Sequence, residues 1–387
     1  MQTDRKDEYL ASLALRNTLG VGPRTWKKIL THYGRADVAV EHAGQWLELG
    51  LVNKAQLRDF QAKSWQNSTE LESGAALKRD MDVLLWSDLD YPEVLRRIPD
   101  PPALLYVLGD RGLLRSPALA VVGSRKCSRY GLTAAGTICR DVSRAGLCVV
   151  SGFAAGIDRQ AHDSALEGIG SSIAVLGTGL DLLYPAANRD LWLRLSRQGL
   201  IVSEFAPGTK PDAANFPHRN RIISGLSLGV LVIEAAVRSG SLITATTALE
   251  QGREVFALPG PVNLESYNGC HHLIRQGATL VRTAEDILVE LRALLAAEGM
   301  SDLSPAVSSP INAVPPDCRP SRTDRRTELG KDELALVALL EEQGKVHIDA
   351  LCNFLDRDPA EISRKLLLLE MESFVTQHPG MYYSLSD

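Results

Sequence analysis

The sequence lacks the features that mark a membrane or a secreted protein. It contains no run of 18 apolar residues, the length that a membrane-spanning helix needs. Its first residues are polar and contain no apolar core of the kind found in a secretory signal. The six cysteines are scattered and form no Cys-x-x-Cys pair, which argues against a disulfide framework and a zinc site. We therefore expect a cytoplasmic protein with buried thiols, no membrane span and no metal.

The sequence also lacks an excess of positive charge. Lys and Arg number 42 against 47 Asp and Glu, for a net charge of -5. The overall charge therefore does not indicate nucleic-acid binding, and any basic surface must be local. The 45% hydrophobic content is ordinary for a globular chain, and 387 residues suffice for two or three domains.

Motifs for common cofactors are missing. No GxxxxGK[ST] occurs, which excludes a P-loop nucleotidase. The turn at Gly123 is not GxGxxG and no acidic residue is placed to bind a ribose, so a dinucleotide site is disfavoured. His271 and His272 are adjacent, point to different sides and have no further metal ligand at suitable spacing. We expect no cofactor.

Short apolar runs alternate with helical patterns through the middle of the chain. Such alternation predicts right-handed βαβ units and a parallel sheet. Two earlier runs, at 83–86 and 104–108, predict an extension of the same domain. The main runs lie at 119–122, 147–150, 172–176, 200–202, 228–233, 255–258 and 278–281, and a last helix is predicted over 284–297.

The flanking segments predict further domains. Residues 1–80 predict a helical domain whose Gly20-Val21-Gly22 turn is typical of a helix-hairpin-helix (SAM-like) module. Its amides, with Arg24, Lys27 and Lys28, could bind a DNA phosphate, although we favour a scaffold role for this turn. The α/β domain occupies 81–298, and the Pro- and Ser-rich residues 299–330 predict a solvated linker whose arginines could contact nucleic acid.

Residues 331–387 predict a winged helix, with three amphipathic helices and a hairpin that turns at Pro379-Gly380. The third helix carries Arg364 and Lys365, but acidic residues accompany them, so DNA binding and protein binding both stay open. The acidic residues are Glu361, Glu370 and Glu372.

The stretch from Phe216 to Gly260 carries the strongest functional pattern. A buried-strand run ends at Glu234, a short turn follows, and a helix begins with Ser239 or Ser241 as N-cap. Helix N-termini that follow strands bind anions through free amides and the helix dipole. A basic segment that begins with Phe216 lies just upstream. These residues predict a phosphate-type pocket: Phe216, Arg219, Asn220, Arg221, Arg238, Ser239, Gly240 and Ser241.

The turn after the first parallel strand adds to this prediction. Gly123 and Ser124 would let backbone amides approach a phosphate, and Arg125 would add a bidentate charge. The alternative is a tight turn that carries a surface arginine.

Carboxylates and a histidine at the same sheet edge are residue types that could support catalysis. Asp158 and His162, four residues apart, are conceivable as a catalytic pair, yet no nucleophile is spaced to join them, and we favour Asp158 as a helix cap. Glu204 and Glu234 could act as acid and base or could hold arginines such as Arg219, Arg221 and Arg238. We favour the second role.

Five motifs, spread in order over about residues 82–297, resemble the DNA-processing protein A (DprA/Smf) family. They are Gly123-Ser124-Arg125, SGFAAGID, FPHRNRIISGLS, EAAVRSGSLITA and REVFALPG. The resemblance implies an extended Rossmann-like domain that binds single-stranded DNA, with the hairpin module and winged helix of longer members. It further implies a homodimer, without catalytic activity, that delivers the recombinase RecA to the strand in natural transformation and helps displace single-strand-binding protein.

The resemblance also places the expected DNA contacts. Phe216 would offer a stacking face, and Arg125, Lys210, Arg219, Arg221 and Arg238 would follow the phosphates. His271 stands where the family motif usually carries Asn, and we leave it outside the site. The complete expected site is Gly123, Ser124, Arg125, Ser151, Gly152, Lys210, Phe216, Arg219, Asn220, Arg221, Arg238, Ser239, Gly240 and Ser241.

Two alternatives remain. A nucleotide phosphoribohydrolase of the same fold superfamily would use a Pro-Gly-Gly-x-Gly-Thr turn plus a Glu, and the corresponding turn here runs from Arg238 to Leu242 without that pattern. A non-catalytic protein adaptor with a vestigial pocket is the other.

Overall fold

A nine-stranded sheet forms the centre of the computed structural model, which describes residues 3–297, 331–355, 357–371, 375–378 and 380–385. The strand order is β1-β2-β6-β5-β4-β3-β7-β8-β9. Strands β3 to β9 are parallel, as the alternating runs predict, and β1 and β2 extend the sheet antiparallel beside β6. The strands are β1 Asp82–Leu85, β2 Leu104–Gly109, β3 Ala118–Gly123, β4 Cys148–Ser151, β5 Ser172–Val175, β6 Leu200–Ser203, β7 Gly229–Ile233, β8 Glu254–Ala257 and β9 Thr279–Leu280.

Helices cover both faces of this sheet. Successive residues of β6 show this, because Leu200 and Val202 pack in one hydrophobic cluster whereas Ile201 packs in another. The helices are α1 Thr3–Asn17, α2 Pro23–Tyr33, α3 Ala36–Glu41, α4 Lys54–Gln61, α5 Gln66–Lys78, α6 Glu93–Arg97, α7 Arg129–Arg144, α8 Ile157–Ala165, α9 Arg189–Gln198, α10 Asn215–Gly225, α11 Gly240–Glu250, α12 Asn268–Arg275 and α13 Ala284–Ala297. None of the helices in the described ranges is long and apolar enough to cross a bilayer.

The strand order reverses between β3 and β7. From β3 the chain proceeds through β4, β5 and β6 on one side, and it returns to place β7 on the other side of β3. The loops that leave the carboxyl ends of β3 and β7 therefore run in opposite directions, and a crevice opens between them. This position is where open α/β sheets bind ligands.

The N-terminal helices share the core of the α/β domain. Trp26 and Trp46 belong to the same cluster as Leu105 of β2. The Lys27 ammonium donates to the carbonyl oxygens of Ile98 at 2.6 Å and Arg97 at 3.1 Å. These contacts support the scaffold role for the Gly20–Gly22 turn, and they engage one of the cations that could have faced DNA.

A buried polar network joins these helices to the sheet. Arg16 of α1 forms an ion pair with Glu72 of α5, and the Tyr106 hydroxyl of β2 donates to Glu72 at 2.6 Å. The hydroxyls of Tyr9 and Tyr106 lie 3.0 Å apart. Arg16 also donates to the carbonyl of Glu204, at 2.9 Å. One carboxylate thus satisfies donors from both parts of the fold.

The residues from Lys331 form a separate compact unit with the predicted three helices and hairpin. The helices are α14 Lys331–Gln343, α15 Ile348–Leu355 and α16 Pro359–Met371, and the strands are β10 Val346–His347, β11 Val375–His378 and β12 Tyr382–Leu385. The sheet order is β10-β12-β11, and the sequence patterns missed the two-residue strand β10. The predicted linker, Cys318, Glu372, Pro379 and the side chains of Arg364 and Glu370 lie outside the described residues. The other cysteines are free thiols, and all but the half-buried Cys127 are buried.

Removing the Glu72 carboxylate should destabilise the protein, because it leaves Arg16 buried without its partner. We expect Glu72→Ala to lower the free energy of unfolding by about 3–5 kcal/mol. Glu70→Ala, two residues away at an exposed position, is the control and should change it by less than about 0.5 kcal/mol. Denaturant unfolding measures both, and equal effects of the two variants would contradict this account of the network.

Candidate functional site

A pocket of about 320 Å³ opens at the crevice between β3 and β7. Its walls are the loop after β3, the first turn of α10 and the N-terminus of α11. Expected site residues in its lining are Gly123, Ser124, Arg125, Phe216, Arg219, Asn220, Ser239, Gly240 and Ser241. The structure therefore brings together three motifs that are far apart in the sequence.

The N-terminus of α11 is built as predicted. Ser239 is the N-cap, and its side chain accepts a hydrogen bond from the Ser241 amide at 3.0 Å. Gly240 and Thr244 continue the pocket wall along the first turn. The positive end of the helix dipole thus faces the pocket, which suits an anionic ligand.

The loop after β3 presents Arg125. Gly123 must lack a side chain, because a Cβ atom there would clash with the carbonyl oxygen of Ile233. The Ser124 amide donates to the carbonyl of Glu234 at 2.9 Å, so the expectation that this amide faces a phosphate is wrong. The Ser124 hydroxyl instead donates to the Lys126 carbonyl at 2.8 Å and closes a tight turn with Arg125 exposed at its tip.

Phe216 lies half-buried between this pocket and a smaller neighbouring one of about 180 Å³. The Arg125 guanidinium lies 5.2 Å from the centre of its ring, within the range of a cation–π contact. Tyr184 lines the smaller pocket with 42% of its surface exposed, and its ring centre lies 6.3 Å from that of Phe216. Sequence reasoning missed Tyr184, although its place in the loop after β5 puts it at the same sheet edge.

Arg219 is an internal cation under the pocket. Only 4% of it is exposed, and its Nη1 donates to the carbonyl of Val175. Burial lowers the pKa of Arg219 to about 10, although the Asp158 carboxylate opposes this shift. Its Nε has no hydrogen-bond partner among the described residues. Gly152 leaves room for this guanidinium, because a Cβ there would clash with Nη1.

Asp158 supports the same wall. Its carboxylate accepts the Ala154 amide at 3.3 Å, which fits the structural role that we favoured. The prediction that Asp158 caps the helix is wrong, because Gly156 is the N-cap of α8 and Asp158 lies in its first turn. Burial raises the pKa of Asp158, and the Arg219 guanidinium opposes this.

Two expected contacts point away from the pocket. The Arg221 side chain is 4% exposed, forms an ion pair with Glu204 and donates to the Asp100 carbonyl, so it is not placed to meet a phosphate. Burial would raise the pKa of Glu204, but Arg221 and His218 outweigh it and hold the value at about 2. Ser151 is fully buried and donates to the carbonyl of Val121 at 2.6 Å.

Lys210 and Arg238 are exposed, in the loop after β6 and in the turn before α11, and both lie outside the lining of the pocket. Gly152 lines the smaller neighbouring pocket.

Among the described residues Glu234 pairs with no arginine, so the expectation that it holds one is wrong for this carboxylate. Its Oε2 accepts hydrogen bonds from the amide of Ser128 at 2.8 Å, the hydroxyl of Ser128 at 2.7 Å and the hydroxyl of Tyr267 at 3.2 Å. Ser128 is the N-cap of α7. Glu234 therefore ties the end of β7 to the end of the Arg125 loop. His271, outside the expected site, keeps a hydrogen-bonding role through its Nε2, 3.0 Å from the Gly260 carbonyl oxygen.

His162 is a buried structural residue. Its Nε2 accepts the amide of Phe153 at 3.3 Å, so Nδ1 must carry the proton and donate to the Ser172 hydroxyl at 2.7 Å. Ser172 in turn donates to the Val149 carbonyl. Burial lowers the pKa of His162 to about 3, and the nearby Arg219 lowers it further. The neutral ring thus holds the loop after β4 in place.

The His162 environment predicts a pH-dependent stability. The folded-state pKa lies below the unfolded value of about 6.5, so the unfolded chain takes up more protons between the two values. The stability that the neutral His162 contributes is fully present above about pH 6.5. Below pH 6.5 the free energy of unfolding falls by about 1.4 kcal/mol per pH unit, towards pH 3. We expect His162→Gln to remove this slope between pH 6.5 and 5, measured by denaturant unfolding. His272→Gln, at an exposed histidine, should keep it, and an unchanged slope in His162→Gln would refute the assignment.

Comparisons with known proteins match the α/β domain and the winged-helix unit. A family model described as DNA recombination-mediator protein A matches residues 82–292, and a model of the DprA winged helix domain matches residues 320–381. Protein Smf of Synechocystis is 36% identical, over 96% of this chain and 97% of its own length. The DNA processing protein DprA of Streptococcus pneumoniae is 48% identical, over 52% of this chain and 71% of its own length.

Two solved structures are also similar. The X-ray structure of DNA processing protein A from Streptococcus pneumoniae has a TM-score of 0.63 and 37% identity, covering 72% of this chain and 95% of that one. DNA processing protein A from Helicobacter pylori, a structure described for its unique single-stranded DNA binding mode, has a TM-score of 0.50 and 29% identity. That match covers 55% of this chain and 96% of the Helicobacter chain.

Proposed function

Because the chain belongs to the DNA recombination-mediator protein A (DprA/Smf) family, we propose that it binds single-stranded DNA at the crevice between β3 and β7. One observation carries this proposal: the exposed Arg125 guanidinium lies beside the half-buried ring of Phe216 at the mouth of a pocket that faces a helix N-terminus. A ring offers a stacking face to any base, and the cation and the helix end attract phosphates.

The bound strand would meet two aromatic rings and a limited number of cations. Phe216 lines both neighbouring pockets and Tyr184 lines the smaller one, so successive bases could stack on or between the two rings. Arg125 is the exposed cation among the lining residues, and Lys210 and Arg238 are exposed outside the lining. Arg219 acts from below by keeping the wall in place and adding a buried positive charge. The interaction is with the backbone and the ring faces, so we expect little sequence preference.

We propose that this binding serves recombination during natural transformation, as in the family. In this proposal the protein acts as a homodimer in the cytoplasm, delivers RecA onto the strand and helps displace single-strand-binding protein. It acts without catalysis. The chemistry of the site is consistent with this, because Glu204, Glu234 and His162 are each engaged by neighbouring donors or acceptors.

Arg125→Ala and Phe216→Ala should each weaken single-strand binding without unfolding the protein. Loss of a stacked base corresponds to about 1–3 kcal/mol, or about five- to 150-fold in affinity, for Phe216→Ala. Arg125→Ala should also make the affinity less dependent on salt, because a protein that makes one phosphate contact fewer releases fewer counterions. Gel-shift titration of oligo-dT at several salt concentrations measures both. Phe216→Trp and Arg129→Ala, an exposed cation on α7, are the controls. Unchanged affinity in both alanine variants would remove the pocket from the binding site.

A paired assay separates the proposal from its alternatives. The protein is tested for AMP hydrolysis and for oligo-dT binding under the same conditions. We expect strand binding and no release of free adenine. Hydrolysis without strand binding would support the phosphoribohydrolase alternative and overturn the proposal. If the protein shows neither activity, the protein-adaptor alternative is the one that remains.

RecA delivery has its own test. We expect the protein to shorten the lag before RecA assembles on a single strand coated with single-strand-binding protein, measured by RecA's ATP hydrolysis. Phe216→Ala should lose this effect in proportion to its loss of strand affinity. If the lag is as long as without the protein although the protein binds the strand, DNA binding is separate from RecA delivery. That result would contradict the second part of the proposal.

A further inference from the structure

The winged-helix unit presents a row of three rings across its small sheet. In the antiparallel register Tyr382 of β12 lies opposite His347 of β10 on one side and His378 of β11 on the other. Residues directly opposite in such pairs share a face of the sheet. The His347 and Tyr382 rings are in edge contact, with their centres 4.9 Å apart.

This row lies on the solvent side of the sheet. Tyr382 is 41% exposed, whereas its neighbour Tyr383, on the opposite face, is 6% exposed and packs in the core of the unit. His378 is steadied by Ser384, with Nε2 2.8 Å from the hydroxyl. The Lys345 ammonium lies 5.4 Å from the centre of the Tyr382 ring. The face thus combines an exposed ring with a cation.

The charge of the unit makes this face distinctive. Residues 331–387 contain eleven acidic and five basic side chains, yet the residues of β10, β11 and β12 include no carboxylate. Within the described part of the unit, Asp349 contacts the row, with its Oδ2 3.3 Å from Nδ1 of His347. The net negative charge of the unit repels nucleic acid, so a phosphate backbone can approach most easily where the strands carry no carboxylate.

We propose that this face is a second contact for single-stranded DNA, with a base stacked on Tyr382 and the adjacent phosphate near Lys345. The inference rests on the proposed function of the crevice between β3 and β7, and it adds a separate binding site. A single strand fits better than a duplex, because a stacked base must be unpaired. On helix α16, the third helix of the fold, Lys365 is paired with Glu361 at 3.3 Å, which engages one of its cations.

Fluorescence anisotropy with the 387-residue protein tests the proposal, using a long oligothymidylate and a duplex of equal length at fixed salt. We expect Tyr382→Ala to weaken single-strand affinity about five- to thirty-fold. Lys345→Glu should also weaken it, whereas Tyr382→Phe should keep it. Phe354→Ala is the matched control, because Phe354 is an exposed aromatic residue of the same unit, on α15 instead of the sheet. Thermal unfolding verifies that each variant is folded.

The outcomes distinguish this site from the crevice. If Phe216→Ala weakens binding and Tyr382→Ala and Lys345→Glu do not, the second contact is refuted while the proposed function stands. If the Tyr382 variant loses affinity and the Phe216 variant does not, the crevice fails and the second contact stands. Loss for the duplex alone would make the face a duplex contact and overturn the inference. If the Tyr382 and Lys345 variants bind both nucleic acids with unchanged affinity, the inference is also overturned. A protein would then be the remaining kind of partner for this face.

Discussion

The pairing of β3 with β7 is the constraint on which the site depends. The ladder between them continues past the strand ends, because Gly123 has no side chain to hold it away from Ile233 and the Ser124 amide reaches the Glu234 carbonyl. The chain then leaves β3 in one direction and β7 in the other. The residues that line the pocket are carried by elements that start from this point or pack close to it.

Buried charges hold this arrangement. Glu234 binds the N-cap of α7, Glu204 binds Arg221 of α10, and Arg219 and Asp158 balance each other under the wall. Removing one partner of such a pair leaves an uncompensated buried charge, which is strongly destabilising. The charged residues of the motifs therefore serve mostly as supports, and the groups left to meet a ligand are few. Arg125 and Phe216 stand out for that reason.

The local features of the site could be predicted from the sequence, and the long-range ones could not. Ser239 as N-cap, the strand that ends before Glu234 and the tight turn at Arg125 follow from residue type and periodicity over a few positions. Arg219 lies under the pocket whereas Arg221 points away from it. This difference depends on partners from other strands, the carbonyl of Val175 for Arg219 and the carboxylate of Glu204 for Arg221. No local pattern specifies such partners.

Sequence reasoning missed Tyr184 and the packing of the N-terminal helices on the α/β domain for the same reason, since both depend on which elements the topology brings together.

The distribution of charge gives the net charge of the chain a different meaning. Residues 1–297 carry 33 basic and 31 acidic side chains and are close to neutral, whereas residues 331–387 carry five and eleven. The negative total therefore comes mainly from the winged-helix unit and says little about the crevice. Long-range attraction of DNA by a near-neutral surface is weak, so the affinity that we propose for the crevice must come from short-range contacts. Ring stacking and a helix N-terminus are contacts of that kind, and they depend on the rigid frame that the buried ion pairs provide.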